Sequence, residues 1–228
     1  MTQTITLSPN QERSNTNLSQ PILLTNISWT TYESILKDWE EKAGYHLIYD
    51  QGLLEIMPPL DTHEGNKKIL GRFVETITEE LEIEIRSLGS RTCKRKDLLK
   101  GFEPDECYYI QNEDRIWNKR QIDLAQDPPP DLIIEVDITS SSLKSLELYA
   151  TFGVPEVWLY DEKTIKFYRL ENQSYIESVN SVAFSFLAAS DLAYFLELKK
   201  TTKETSLIKQ FRQWIKAKID PENVGDLH

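Results

Sequence analysis

The chain has 228 residues, 39% of them hydrophobic and 28% charged, which suffices for a full core and matches an ordinary globular domain. No run approaches the roughly 20 apolar residues of a membrane-spanning helix, the N-terminal stretch lacks a signal-peptide core, and two cysteines are too few for a disulfide framework, so a cytoplasmic protein with reduced, packing Cys93 and Cys107 is expected. The net charge of −11 and pI of about 4.9 mean that the average field repels nucleic acid, which argues against a constitutive, high-affinity DNA binder but not against a local metal cluster that holds phosphate.

Residues 1–21, rich in Thr, Ser, Asn and Gln, are expected to form a flexible tail ahead of a single domain over 22–218, with a second tail over 219–228. Tyr32, Ile35, Leu36 and Trp39 recur at helical spacing behind Ser28. Tyr45 to Tyr49 and Leu53 to Met57 flank Asp50-Gln51-Gly52 and predict a hairpin. Asp61 with Glu64 has capping-box spacing, and Ile69, Leu70, Phe73, Val74, Ile77 and Leu81 form one helical stripe. Three strands are predicted over 83–87, 106–110 and 132–138, with Pro128-Pro129-Pro130 as a breaker before the third. A short helix, a strand over 156–160, a hairpin over 164–178 and two terminal helices complete the chain. The expected fold class is α/β: a mixed central sheet flanked by helices, with an N-terminal helix and hairpin as an extension.

Asp131 to Ile138 alternates, with Leu132, Ile134, Val136 and Ile138 on one face and Asp131, Ile133, Glu135 and Asp137 on the other. Asp105, Cys107 and Tyr109 share a face of the preceding strand, and antiparallel pairing would bring Asp105 beside Glu135. Periodicity alone leaves two readings open. In one, Asp131 is a turn residue and Glu135 and Asp137 face solvent; in the other, carboxylates crowded on a sheet face are joined by a hard cation such as Mg²⁺ or Mn²⁺.

The segments Glu103-Pro104-Asp105, Pro130-Asp131-Leu132-Ile133-Ile134-Glu135-Val136, Tyr149-Ala150 and Gly153-Val154-Pro155-Glu156-Val157-Trp158 resemble, in order, those of the Uma-two-type restriction endonuclease family, within the PD-(D/E)XK superfamily. The similarity runs from about Trp29 to Trp214. It implies a nuclease that cuts DNA, in which Asp105 and Glu135 hold a divalent metal, Mg²⁺ or Mn²⁺. It also implies a lysine four residues before Tyr149, where this chain has Ser145; the neighbouring Lys144 is then either the displaced catalytic lysine or an exposed helix cation. A nuclease acting on both strands suggests a homodimer.

The remaining candidates divide in the same way. His63 either contacts the metal or packs near the helix start. Glu64 is explained by capping, Glu55 is an edge-strand carboxylate without an assigned role, and Tyr149, Trp158 and Tyr160 read as core aromatics. Leu207, Ile208, Phe211, Trp214 and Ile215 form a terminal helix stripe beside Lys203, Lys209, Arg212, Lys216 and Lys218, a basic face that either meets phosphate or is solvated while the helix docks on its own domain or on a second copy.

Overall fold

The computed structural model describes residues 21–39, 45–58, 61–136 and 142–219, with the backbone alone at 61–63 and 142–144. Most of the expected first tail therefore lies outside the described residues, as do Asp137, Ile138 and the side chains of His63 and Lys144. Two sheets and six helices are present among the described residues.

The first sheet contains β1 (Ile22–Leu24), β2 (His46–Asp50), β3 (Leu53–Met57), β5 (Cys93–Arg95) and β6 (Lys100–Phe102), in the order β1-β3-β2-β6-β5. The β2–β3 hairpin closes through Gln51 at φ 48° and Gly52 at φ 97°. Two positive φ values in a two-residue loop give the primed turn whose twist suits a hairpin, and glycine adopts the second without a Cβ penalty. On one face of this sheet Leu47, Tyr49, Leu54 and Ile56 pack against helix α1 (Trp29–Trp39), where Tyr32 stacks on Tyr49 with centroids 4.6 Å apart. Ser28 starts α1 by accepting from the Thr31 amide.

The second sheet runs β11-β10-β9-β8-β7-β4, comprising β4 (Arg86–Ser87), β7 (Glu106–Tyr109), β8 (Leu132–Val136), β9 (Glu156–Tyr160), β10 (Ile165–Glu171) and β11 (Ser174–Ser178). Only β8 and β9 pair in parallel, and helix α4 (Ser142–Phe152) is the crossover between them. One face carries Leu132, Ile134, Val136, Trp158 and Phe167 into the main core, beneath helices α2 (Asp61–Leu81), α5 (Ala189–Leu198) and α6 (Glu204–Ile219). The other face carries Cys107, Ile133 and Val157 against Leu146, Tyr149 and Phe152 of α4 and against Cys93 and Phe102 of the first sheet.

Several expectations are corrected. The N-terminal helix and hairpin extend the fold as expected, but β1, β5 and β6, which the sequence does not announce, join the hairpin in a five-stranded sheet. Of the strand expected over 83–87, only Arg86 and Ser87 pair. Most consequentially, the Ile133 side of β8 is no solvent-facing surface. Ile133 is fully buried there, because α4 and the first sheet cover that side.

The terminal helix docks. Its apolar stripe enters the main core, while Arg212 pairs with Glu79 at 2.6 Å and with Glu80, and Lys216 lies 3.3 Å from Glu80. The positive face is thus engaged largely with acids of α2. Pairs of this exposure each contribute only about 0–1 kcal/mol, so the buried stripe holds the helix.

Candidate functional site

The ladder between β7 and β8 fixes the geometry of the site. Glu106 pairs with Ile134, Cys107 with Ile133 and Tyr108 with Leu132. Asp105 directly precedes β7, and Glu135 follows Ile134, the β8 partner of Glu106, so a continued register would set the two acids opposite each other. Asp105 is 8% exposed, and its Oδ2 accepts from the Val136 amide at 2.7 Å, so the chain leaving β8 grips the carboxylate that β7 presents.

The first sheet reaches the same place from the other side. The His46 Nδ1 lies 3.0 Å from the Glu103 carbonyl oxygen; since a carbonyl only accepts, Nδ1 carries the proton there. The Nε2 of His46 then lies 3.7 Å from Asp105 Oδ1, beyond hydrogen-bond length. Glu103 is clasped by the Leu47 amide at 3.1 Å and the Thr92 hydroxyl at 2.5 Å. Burial raises its carboxyl pKa, and those two hydrogen bonds oppose the rise. The Glu-Pro-Asp segment is therefore held by β2 on one side and β8 on the other.

Glu135 is partly exposed and accepts a 2.5 Å hydrogen bond on Oε1 from the hydroxyl of Tyr149. Tyr149 is 2% exposed, with its ring edge-on to Phe102 at 4.6 Å. Burial first, and the charge of Glu135 next, push its hydroxyl well above the ordinary tyrosine value; the nearby charge of Asp105 acts in the same direction. Both carboxylates thus stand within electrostatic reach of one phenol. Ser145, one turn earlier on α4 and 6% exposed, acts on the same phenol in the opposite sense to burial, lowering its pKa.

The other acids take structural positions. Asp131, 3% exposed, accepts from the Ile110 amide at 2.8 Å, the Asn112 amide at 2.9 Å and Asn112 Nδ2 at 2.5 Å, which braces the turn into the short helix α3 (Glu113–Ile116). The turn-residue reading of Asp131 is the one that fits. Glu156, 1% exposed, accepts from Trp158 Nε1, Ser181 Oγ and the Val182 and Ala183 amides at 2.8–3.1 Å. Glu64 lies 3.8 Å from Lys67. Trp158 stacks on Phe167, and Tyr160 donates to the Glu162 carbonyl, as befits core aromatics. Glu55 stands across from Ile48 in β3, on the same sheet face as His46.

Sequence reasoning passed over His46 and Glu103 as site residues and gave Tyr149 only its packing role. The signal for His46 was a titratable residue on the strand face opposite Leu47 and Tyr49, but nothing local tied that face to Asp105, which lies 59 positions later in the chain.

Among the described residues, no three His, Cys, Asp or Glu side chains gather closely enough to enclose an ion alone. The donor set still suits Mg²⁺, which keeps several waters and is commonly held by one or two carboxylates plus substrate phosphate. Asp105 and Glu135 are the residues that would hold it.

The mixed sheet and the helices that cover it make the chain an α/β protein. The chain belongs to the Uma2 family, described as "Putative restriction endonuclease", whose model matches residues 29–198. The chain is also similar to a crystal structure titled "a putative nuclease belonging to DUF820 from Anabaena variabilis ATCC 29413", at 18% identity over 71% of this chain and 98% of that one, with a TM-score of 0.44. No curated protein matches it. Among the described residues, no helix is long and apolar enough to cross a membrane.

Proposed function

We propose that the protein is a divalent-metal-dependent endonuclease that hydrolyses phosphodiester bonds of DNA, with Asp105 and Glu135 as ligands of Mg²⁺ or Mn²⁺. The observation that supports this reading is that Asp105 accepts from the amide of Val136, the residue next to Glu135, while the Tyr149 hydroxyl holds Glu135. A metal bound there supplies a polarised phosphate and a water of lowered pKa. Lys144, at the start of α4, is assigned to orient that water or to meet the developing negative charge. The protein would act in the cytoplasm, and two copies would serve the two strands of a duplex, a point that light scattering of the purified chain tests directly.

The test of the site is calorimetry with Mn²⁺ on the wild type, Asp105→Asn and Glu135→Gln. Each substitution removes one charge and nearly keeps shape, so binding in the wild type and little in either variant is the expected result. Unchanged affinity in both removes the metal-site reading. Cleavage of plasmid DNA under Mg²⁺ and Mn²⁺ tests the activity itself.

One observation favours a second reading, a nuclease fold retained for binding or oligomerisation. Ser145 occupies the position where the family resemblance implies lysine, and it is buried on α4. Folded protein that binds Mn²⁺ yet leaves plasmid intact supports it.

A further inference from the structure

We propose that Tyr149 is a positioning residue for Glu135, with Ser145 acting behind it, so that one face of α4 sets the orientation of the carboxylate before an ion arrives. The proposal rests on the reading of Glu135 as an ion ligand. Tyr149 donates to Glu135 Oε1 at 2.5 Å, at the short end for a hydroxyl on a carboxylate. Its ring has no freedom to move the hydroxyl, being 2% exposed and wedged edge-on against Phe102 in the core between the two sheets.

Ser145 lies four residues earlier, where one helical turn brings it, buried, to the same face of α4 as the tyrosine. A hydroxyl that donates to a second hydroxyl polarises it as a donor in turn, so the pair acts on Glu135 as a unit. Metal-ligating carboxylates depend on such outer partners, whose loss typically lowers metal affinity by about 10–100-fold. The residue at 145 is therefore one whose function is exerted through Tyr149.

The experiment is Mn²⁺ titration calorimetry of the full chain, with melting temperature measured in parallel. Tyr149→Phe keeps the packed ring and deletes the donor; about tenfold or greater weakening is expected. Ser145→Ala should cost less, and in the Tyr149→Phe background it should cost nothing more, since the serine acts through the tyrosine. A merely structural serine would lower stability without that non-additivity in affinity.

Affinity within about twofold of wild type in Tyr149→Phe overturns the proposal, and an additive Ser145→Ala effect overturns the part given to the serine. Should Tyr149→Phe fail to fold, Ser145→Ala decides: weaker Mn²⁺ binding at an unchanged melting temperature supports the relay, and wild-type affinity overturns it. Glu135→Gln separates the two levels. If it binds Mn²⁺ as the wild type does, the site assignment falls and this proposal with it; if it loses binding while Tyr149→Phe keeps it, only this proposal falls.

Discussion

Replacing Asp131 by alanine separates structural from functional acids on a single strand face. The carboxylate accepts three hydrogen bonds, and the magnitude follows from what each donor does afterwards. The Ile110 amide is buried and finds no substitute, which costs about 1–3 kcal/mol. The two donors of Asn112 are only part-buried and regain water, so each costs nearer 1 kcal/mol. The total is about 3–5 kcal/mol, a large share of the roughly 5–15 kcal/mol that holds a domain together. Urea denaturation followed by tryptophan fluorescence measures it. Asp131→Asn should fall between, because one oxygen is kept while an amide NH₂ now meets donors. Mn²⁺ affinity of the folded fraction should not change. A loss below about 1 kcal/mol, or lost metal binding at full stability, would falsify the assignment of Asp131 to turn bracing.

Three further outcomes are expected. Gly101→Ala should destabilise by about 1–3 kcal/mol or more, because its Cβ would sit 2.3 Å from the Tyr32 hydroxyl and 3.0 Å from the ring, and Tyr32 is fully buried; a melting temperature equal to wild type refutes the contact. At that same contact Tyr32→Phe should be neutral or stabilising by about 1 kcal/mol, since the buried hydroxyl makes no hydrogen bond among the described residues, and a clear loss of stability would show that it has a partner. Glu106 has its carboxyl raised by burial, against the opposing charges of Lys67 and Lys68. Its contribution is thus complete below the ordinary glutamate value of 4.5 and is lost as pH climbs through the raised one. The stability of Glu106→Gln relative to wild type should accordingly improve from pH 4 toward neutrality, and a flat or opposite trend in urea midpoints contradicts this.

Much of the second sheet was legible because its signals are local. The alternation in Leu132 to Val136 determines a strand of that sheet within a few residues, just as the stripe from Ile69 to Ile77 determines α2 and the Asp50-Gln51-Gly52 turn the hairpin of the first sheet. The first sheet was only half legible. Cys93-Lys94-Arg95 and Lys100-Gly101-Phe102 are three-residue strands rich in charge, with no alternation to detect; they are strands because β2 offers an edge, which is a tertiary fact. The same limit governs the site. Asp105 leads into β7 and Glu135 lies in β8, strands whose pairing follows from pattern and motif, so the Asp105 bond to the Val136 amide fits what the sequence leads one to expect. The approach of His46 depends on how one sheet packs on another, and the hydroxyl of Tyr149 on how α4 crosses the face it covers; neither relation leaves a trace in spacing.

Ser145 and Lys144 raise the question of how one missing lysine can be replaced. A lysine in such a site does two things: it fixes a ligand carboxylate by pairing with it, and it meets charge that develops on the phosphate or water. At the proposed site the first task would fall to hydroxyls. Ser145 and Tyr149 are buried on one face of α4 and carry no charge to the reaction, so they can orient Glu135 but cannot balance a developing anion. The second task requires a cation, and position 144 is offset from 145 by about 100° around the helix, an angle that the long flexible stem of a lysine can make up. Division of the two tasks predicts separable phenotypes. Lys144→Ala should lower cleavage by about 10²–10³-fold, the usual loss for one transition-state donor, while leaving Mn²⁺ affinity near wild type. Tyr149→Phe should show the reverse emphasis, with weaker Mn²⁺ binding and activity that recovers as Mn²⁺ is raised. Single-turnover cleavage over a range of Mn²⁺ concentrations reads both. If Lys144→Ala is rescued by metal, or if neither variant changes cleavage, the tasks are not divided in this way and the lysine is a surface cation.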